Sequence, residues 1–159
     1  MLRQYKEEYG CSRRNVISRY LVYTRGGSME ITEIKPGMRN IVTERVTMDK
    51  TAQVMGSGSM PVYATPAMLC LMEKAATELI EGLLPDGWTS VGCGIQSTHD
   101  APSPVGGSIH AEAAVESVEG RKIIFNVSAS DEHGVIGHGT HVRFAVQLDR
   151  FLEKALSRK

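Results

Sequence analysis

Three side chains in this sequence have types and surroundings suited to chemistry at a carbonyl group: Thr65, Glu73 and His99. Thr65 opens the one long segment with helical periodicity. The first amides of a helix have no partner within it, and the helix dipole adds about half a positive charge there. A carbonyl oxygen turning into an oxyanion would be stabilised at that point, and losing one such donor commonly costs about 10²–10³ in rate. Thr65 is equally suited to a plain helix-capping role. Glu73 falls at the edge of the same helix's apolar stripe, between Ile80 and Thr77 on the helical wheel. Partial desolvation there would suit a carboxylate to act as base or nucleophile. Its ordinary reading is a boundary glutamate in water. His99 continues the alternation Val91, Cys93, Ile95, Ser97 and so points with the core side at a strand end, just before Pro102 and Pro104. A core-facing histidine of this kind is more often structural than catalytic.

Other chemistries lack their motifs. There is no GxxxxGK[ST] loop, no GxGxxG and no GxSxG. The triplets Gly56–Gly58, Gly92–Gly94 and Gly137–Gly139 lack the third glycine and the strand-to-helix context of a phosphate cradle. His138 and His141 are three residues apart in a strand, which places them on opposite faces and spoils them as a zinc pair.

The elements that must position the candidates follow from pattern. Met68, Leu71, Met72, Ala75, Ala76, Leu79, Ile80 and Leu83 keep helical spacing over about four turns, with Thr65 as N-cap, Pro66 in the first turn and Gly82 near the end. Ile41 to Met48 reads as a strand, and residues 49–64, rich in Gly, Ser and Met, as a loop or broken helix over a pocket. After Pro85-Asp86-Gly87 come four strands: Thr89 to Ala101, Gly107 to Val118, Arg121 to Ser130 and Val135 to Leu148, with turns at Glu119-Gly120 and His133-Gly134. Asp149 to Lys159 reads as a short helix. One strand, one long helix and four more strands predict an α+β fold, an antiparallel sheet wrapped around a central helix.

A chain of 159 residues with 42% hydrophobic and 23% charged residues suits one folded domain. Its 18 basic and 18 acidic side chains cancel, so no overall field draws it to nucleic acid or an anionic membrane. Residues 1–28 differ: six Arg/Lys stand against Glu7 and Glu8, and the segment ends in Gly26-Gly27-Ser28. It reads as an extension of unknown role before a domain at 29–159. Cys11, Cys70 and Cys93 form no CxxC pair, and no apolar run approaches the roughly 18 residues of a membrane span. A cytoplasmic protein without a structural metal is expected.

Four stretches carry a family resemblance: VYATPAMLCLMEKAA (Val62 to Ala76), VGCGIQSTHDAPSPVG (Val91 to Gly106), VESVEGRKIIFNVSASD (Val115 to Asp131) and IGHGTHVRFAV (Ile136 to Val146). In order and spacing they resemble the fluoroacetyl-CoA thioesterase family of hotdog-fold proteins, over about residues 29–155. The resemblance implies Thr65, Glu73 and His99 as catalytic residues, with Gly92, His141 and Arg143 lining a thioester or CoA site across a dimer interface. It implies an acyl-CoA substrate, no cofactor beyond the substrate's own CoA, no metal, and a homodimer or dimer of dimers. His141 and Arg143 share a strand face with Gly137 and Gly139, which would let a pantetheine arm approach. Either water activated by Glu73 and His99 or direct attack by Glu73 satisfies this set. A family member carries a gating phenylalanine before the helix, whereas residues 56–61 read Gly-Ser-Gly-Ser-Met-Pro, so selectivity for a fluorinated acyl group is not carried over. A non-catalytic acyl-CoA-binding module and a hydratase on the same fold are the alternatives.

Overall fold

The structure is a computed structural model that describes residues 31–158. The expected boundary at Met29 and the 28 residues before it lie outside the described residues. Strand β1 is Arg39–Arg45, α1 Ala52–Met55, α2 Thr65–Ile80, β2 Trp88–Ser97, β3 Ser108–Glu119, β4 Lys122–Asp131, β5 Gly134–Gln147 and α3 Leu148–Leu156. The strands form one antiparallel sheet in the order β1-β3-β4-β5-β2, so β1 and β2 are its edges.

The sheet curls because its inward positions are apolar and modest in size. Ile109, Ala111, Ala113 and Val115 on β3 and Ile123, Phe125, Val127 and Ala129 on β4 alternate with more exposed neighbours, and all eight are buried. Against them α2 buries Ala67, Met68, Leu71, Met72, Ala75, Ala76 and Ile80; of the expected stripe, Leu79 and Leu83 are only partly buried, and Leu83 lies past the helix. Alanines on both partners let the helix lie close to the sheet. The Asn40 side-chain amide donates to the Ala75 carbonyl at 3.1 Å, tying β1 to the middle of that helix. This is the α+β arrangement expected, a sheet around one central helix.

Several expected boundaries shift. β1 starts and ends earlier than Ile41 to Met48, and Met48–Lys50 forms a 3₁₀ turn before the short α1. Thr65 is not the N-cap of α2. Ala64 holds that position, and Thr65 is the first helical residue, its hydroxyl lying against His99 instead of capping the helix. Gly82 lies beyond the helix in the turn Glu81–Leu83. β2 stops at Ser97, yet Thr98 N–H donates to His138 C=O at 2.9 Å and Asp100 N–H to Ile136 C=O at 2.7 Å, so His99 is still held against β5. Cys93 does not face the core. A β-bulge between Gly92 and Gly94 breaks the alternation and leaves this cysteine exposed.

Candidate active site

The start of α2 and the end of β2 place Thr65 and His99 together: Thr65 Oγ1 lies 2.8 Å from His99 Nδ1. The helix starts at Thr65 for backbone reasons, with Ala64 N–H donating to Lys50 C=O and Met68 N–H to Ala64 C=O. That leaves the Thr65 and Ala67 amides as the unpaired donors of the first turn, since Pro66 has none. The Tyr63 ring stands edge-on to the imidazole, with centroids 6.5 Å apart and planes at 80°. A cleft of about 290 Å³ opens here, walled by Ala52, Val62, Tyr63, Thr65, His99 and Ala101. The loop after His99 is fastened twice: Tyr63 N–H donates to Ser103 C=O at 2.9 Å, and the buried Ser103 hydroxyl donates to Asp131 at 2.6 Å. That bond is the main reason the Asp131 carboxyl is held below its usual range.

A second cluster surrounds Glu73, two helical turns further on. Its Oε1 lies 3.5 Å from His141 Nε2, and that imidazole is wholly buried. His141 Nδ1 is 2.9 Å from the Gly94 carbonyl, which can only accept, so Nδ1 carries the proton. Nε2 then accepts from Arg143 Nη1 at 3.3 Å. Arg143 donates its other groups to the Ser90 hydroxyl and carbonyl, each at 2.9 Å. Burial pushes the His141 imidazole below its usual range, against the pull of Gly94 and Glu73. Burial also lowers Arg143, and Glu73 acts in the opposite direction. The Phe125 ring stacks on His141 with centroids 6.2 Å apart. Gly92 completes the cluster by what it lacks: an added Cβ would lie 2.5 Å from Glu73 Oε1. A groove of about 590 Å³ runs along this side, between Glu73 and Thr77 on α2 and Gly92 and Arg143 on the sheet.

The six expected site residues thus form two groups, Thr65 with His99 and Glu73 with Gly92, His141 and Arg143. Eight residues of helix separate Thr65 from Glu73, an axial distance of about 12 Å at 1.5 Å per residue. His141 and Arg143 lie beneath Glu73, with Arg143 only 6% exposed. The glycines expected to admit a pantetheine arm serve packing instead. At Gly137 a Cβ would meet Thr98 O at 2.5 Å and Met68 at 2.9 Å, and at Gly139 it would meet the backbone of Gln96 and Ser97. His138 is exposed on the opposite face from His141, as the strand period requires. Sequence reading missed Ser90, Tyr63 and the Gly94 carbonyl. Their roles arise from pairing and register, which no local motif announces. Among the described residues, no group of three or more His, Cys, Asp or Glu could hold a metal ion, and no helix is long and apolar enough to cross a membrane.

Comparison with known proteins gives these clusters a context. The family profile of fluoroacetyl-CoA-specific thioesterases matches residues 46–149, which contain all six. A fluoroacetyl-CoA thioesterase from Streptantibioticus cattleyicolor is 40% identical over 93 residues, 58% of this chain and 67% of that protein. A solved structure of a fluoroacetyl-CoA thioesterase superposes with a TM-score of 0.75 at 32% identity, covering 79% of this chain and 98% of the other. A hot-dog-like protein from Thermanaerovibrio acidaminovorans is 26% identical with a TM-score of 0.72, covering 77% and 91%. The match runs through the helix that carries Thr65 and Glu73 and through the strands that answer them, and the chain belongs to the fluoroacetyl-CoA-specific thioesterase family.

Proposed function

We propose that the protein hydrolyses a small acyl-CoA thioester to the free acid and CoA, at a site completed by two copies of the chain. The observation that carries this is the 2.8 Å contact between Thr65 and His99 at the start of the central helix. A thioester carbonyl seated there meets the Thr65 hydroxyl and the free amides of the first turn, donors placed where negative charge develops. The carboxylate of Glu73 then acts on water or attacks the carbonyl carbon, with the buried His141 and Arg143 behind it. Nothing in this route calls for a cofactor.

Within one protomer Glu73 is too far from Thr65 to share a carbonyl with it. The free edge strand β2 offers the remedy. Pairing β2 with its copy about a two-fold axis extends the sheet and sets the two α2 helices side by side in opposite directions. The amino-terminal end of one helix then runs beside the Glu73 stretch of the other. The Glu73 groove lies between α2 and β2, on the side such a partner would cover. A cytoplasmic setting accords with two exposed free cysteines, Cys70 and Cys93.

Thiol release over a panel of short, branched and aromatic acyl-CoAs tests the reaction, and mixing variants tests the shared site. Glu73→Gln and His99→Ala should each lower single-turnover hydrolysis by about 10²–10⁴ while the protein stays folded. Mixed and allowed to exchange, the two inactive variants should regain about a quarter of wild-type activity, because half of the dimers are hybrids and each hybrid keeps one intact site. Binding without turnover by the wild type would mark a carrier or sensor. Hydration of an enoyl-CoA in place of thiol release would mark a hydratase.

A further inference from the structure

Beneath the Thr65–His99 pair lies a buried polar chain. The Tyr63 phenol, 1% exposed, donates to Glu44 Oε1 at 2.6 Å, and the other carboxylate oxygen of Glu44 pairs with the Lys50 ammonium. These residues come from β1, from the turn before α1 and from the segment entering α2, so their contact closes three segments around one ring. The phenol stays protonated, because burial and then the Glu44 carboxylate both push it upward, and it therefore always donates. The same ring forms a T-shaped pair with the His99 imidazole. His99 Nδ1 is engaged by Thr65, while Nε2 is buried with no partner.

That orphaned nitrogen decides how the imidazole can work. With the proton on Nε2, the site would contain a buried N–H without an acceptor, the rarest kind of unsatisfied group. With the proton on Nδ1, only a lone pair goes unanswered. His99 then donates to Thr65 Oγ1, and the hydroxyl proton of Thr65 is free to be donated outward. We propose that Tyr63, pinned by Glu44 and Lys50, is a positioning residue: its ring closes off the Nε2 side of His99, fixes the proton on Nδ1, and so turns the Thr65 hydroxyl into the hydrogen-bond donor for the thioester carbonyl. The inference rests on the thioesterase reading and deepens it. Thr65 and His99 act as a donor pair for the carbonyl oxygen, and removal of a proton from water falls to Glu73.

The test uses full-length protein carrying ¹⁵N-histidine, with the His99 signals assigned by their loss in His99→Gln. Wild type should show a protonated Nδ1 and an unprotonated Nε2. Tyr63→Leu, which removes the ring edge but keeps apolar bulk, should admit water to Nε2, bring in the second tautomer and lower kcat by roughly 10–100-fold, with KM changed less than about twofold. Tyr63→Phe keeps the ring and loses only its tether. It should lose a smaller part of kcat, about threefold to tenfold, in the same direction, and it carries the test if the leucine variant folds poorly. A wild-type His99 protonated on Nε2 would overturn the proposal, and so would Tyr63 variants that keep both the tautomer and kcat. If His99→Ala itself turned over normally, the thioesterase assignment of the pair would fail, a separate result from failure of the Tyr63 role.

Discussion

Replacing Gly92 with alanine tests the Glu73 cluster without touching a charged group. Gly92 is not among the residues with positive φ, so alanine meets no backbone strain. The added Cβ would lie 2.5 Å from Glu73 Oε1, 3.1 Å from His141 Cε1 and 3.7 Å from Arg143 Nη1. An ordinary contact needs about 3.5 Å, so some atom must retreat by about 1 Å. His141 is held by Gly94, Arg143 and Phe125, whereas the Glu73 side chain is 44% exposed and free to swing. The carboxylate therefore moves. A misplacement of about 1 Å in a reacting group can cost about 10² in rate, or about 2.7 kcal/mol of transition-state stabilisation. Stability should hardly change, because relief of the clash is cheap and alanine in a strand gains about 0.5–1 kcal/mol over glycine. Single-turnover hydrolysis should thus fall about 100-fold while the melting temperature stays within a few degrees. A Gly92→Ala enzyme with wild-type turnover would show that the position of Glu73 does not limit the reaction, and the assignment of Glu73 as reacting group would fall with it.

Light scattering at micromolar protein should give at least twice the mass of the 17.4 kDa chain, and a clean monomer would refute the shared site. The buried His141 makes a pH prediction. Its folded-state pKa lies below the ordinary 6.5, so the unfolded chain takes up the proton first and stability must fall as the pH drops below about 6.5. Melting curves between pH 7 and 5 should show this slope, and His141→Gln should flatten it. An unchanged slope in the variant would mean that other groups carry it.

The fold was legible because its strongest features are local. The apolar spacing from Met68 to Ile80 marks the helix, which ends one turn before the expected Leu83, and the turns at Glu119-Gly120 and His133-Gly134 divide three strands that the structure places side by side. The candidate residues were legible as types but not as a constellation. Nothing in the spacing of Thr65, Glu73 and His99 says that two of them touch while the third stands two turns away. Thr65 misled as an N-cap because its hydroxyl serves the helix start and a histidine equally well, and only the folded register chooses between them. Cys93 misled because a single bulged residue reverses the side-chain alternation, and the flanking glycines that allow it also fit a plain strand. His141 and Arg143 were correctly placed on one face. Their neighbour below, Ser90, depends on the β2–β5 register and has no signature of its own.

A site divided between two copies, as proposed, would also bear on the electrostatics of the reaction. In one protomer Thr65 is exposed and Glu73 is 44% exposed, so water would screen both the donors at the helix start and the carboxylate. Catalysis by fixed dipoles gains most of its strength once water is excluded. A partner covering the groove between α2 and β2 would bring the two half-sites together and dry them in the same step. Three buried groups behind the halves already have partners within the protomer: Arg143 rests on Ser90, His141 on Gly94, and Tyr63 on Glu44. On this reading each protomer supplies the supports of its half-sites, and association would have only to close the surface between them.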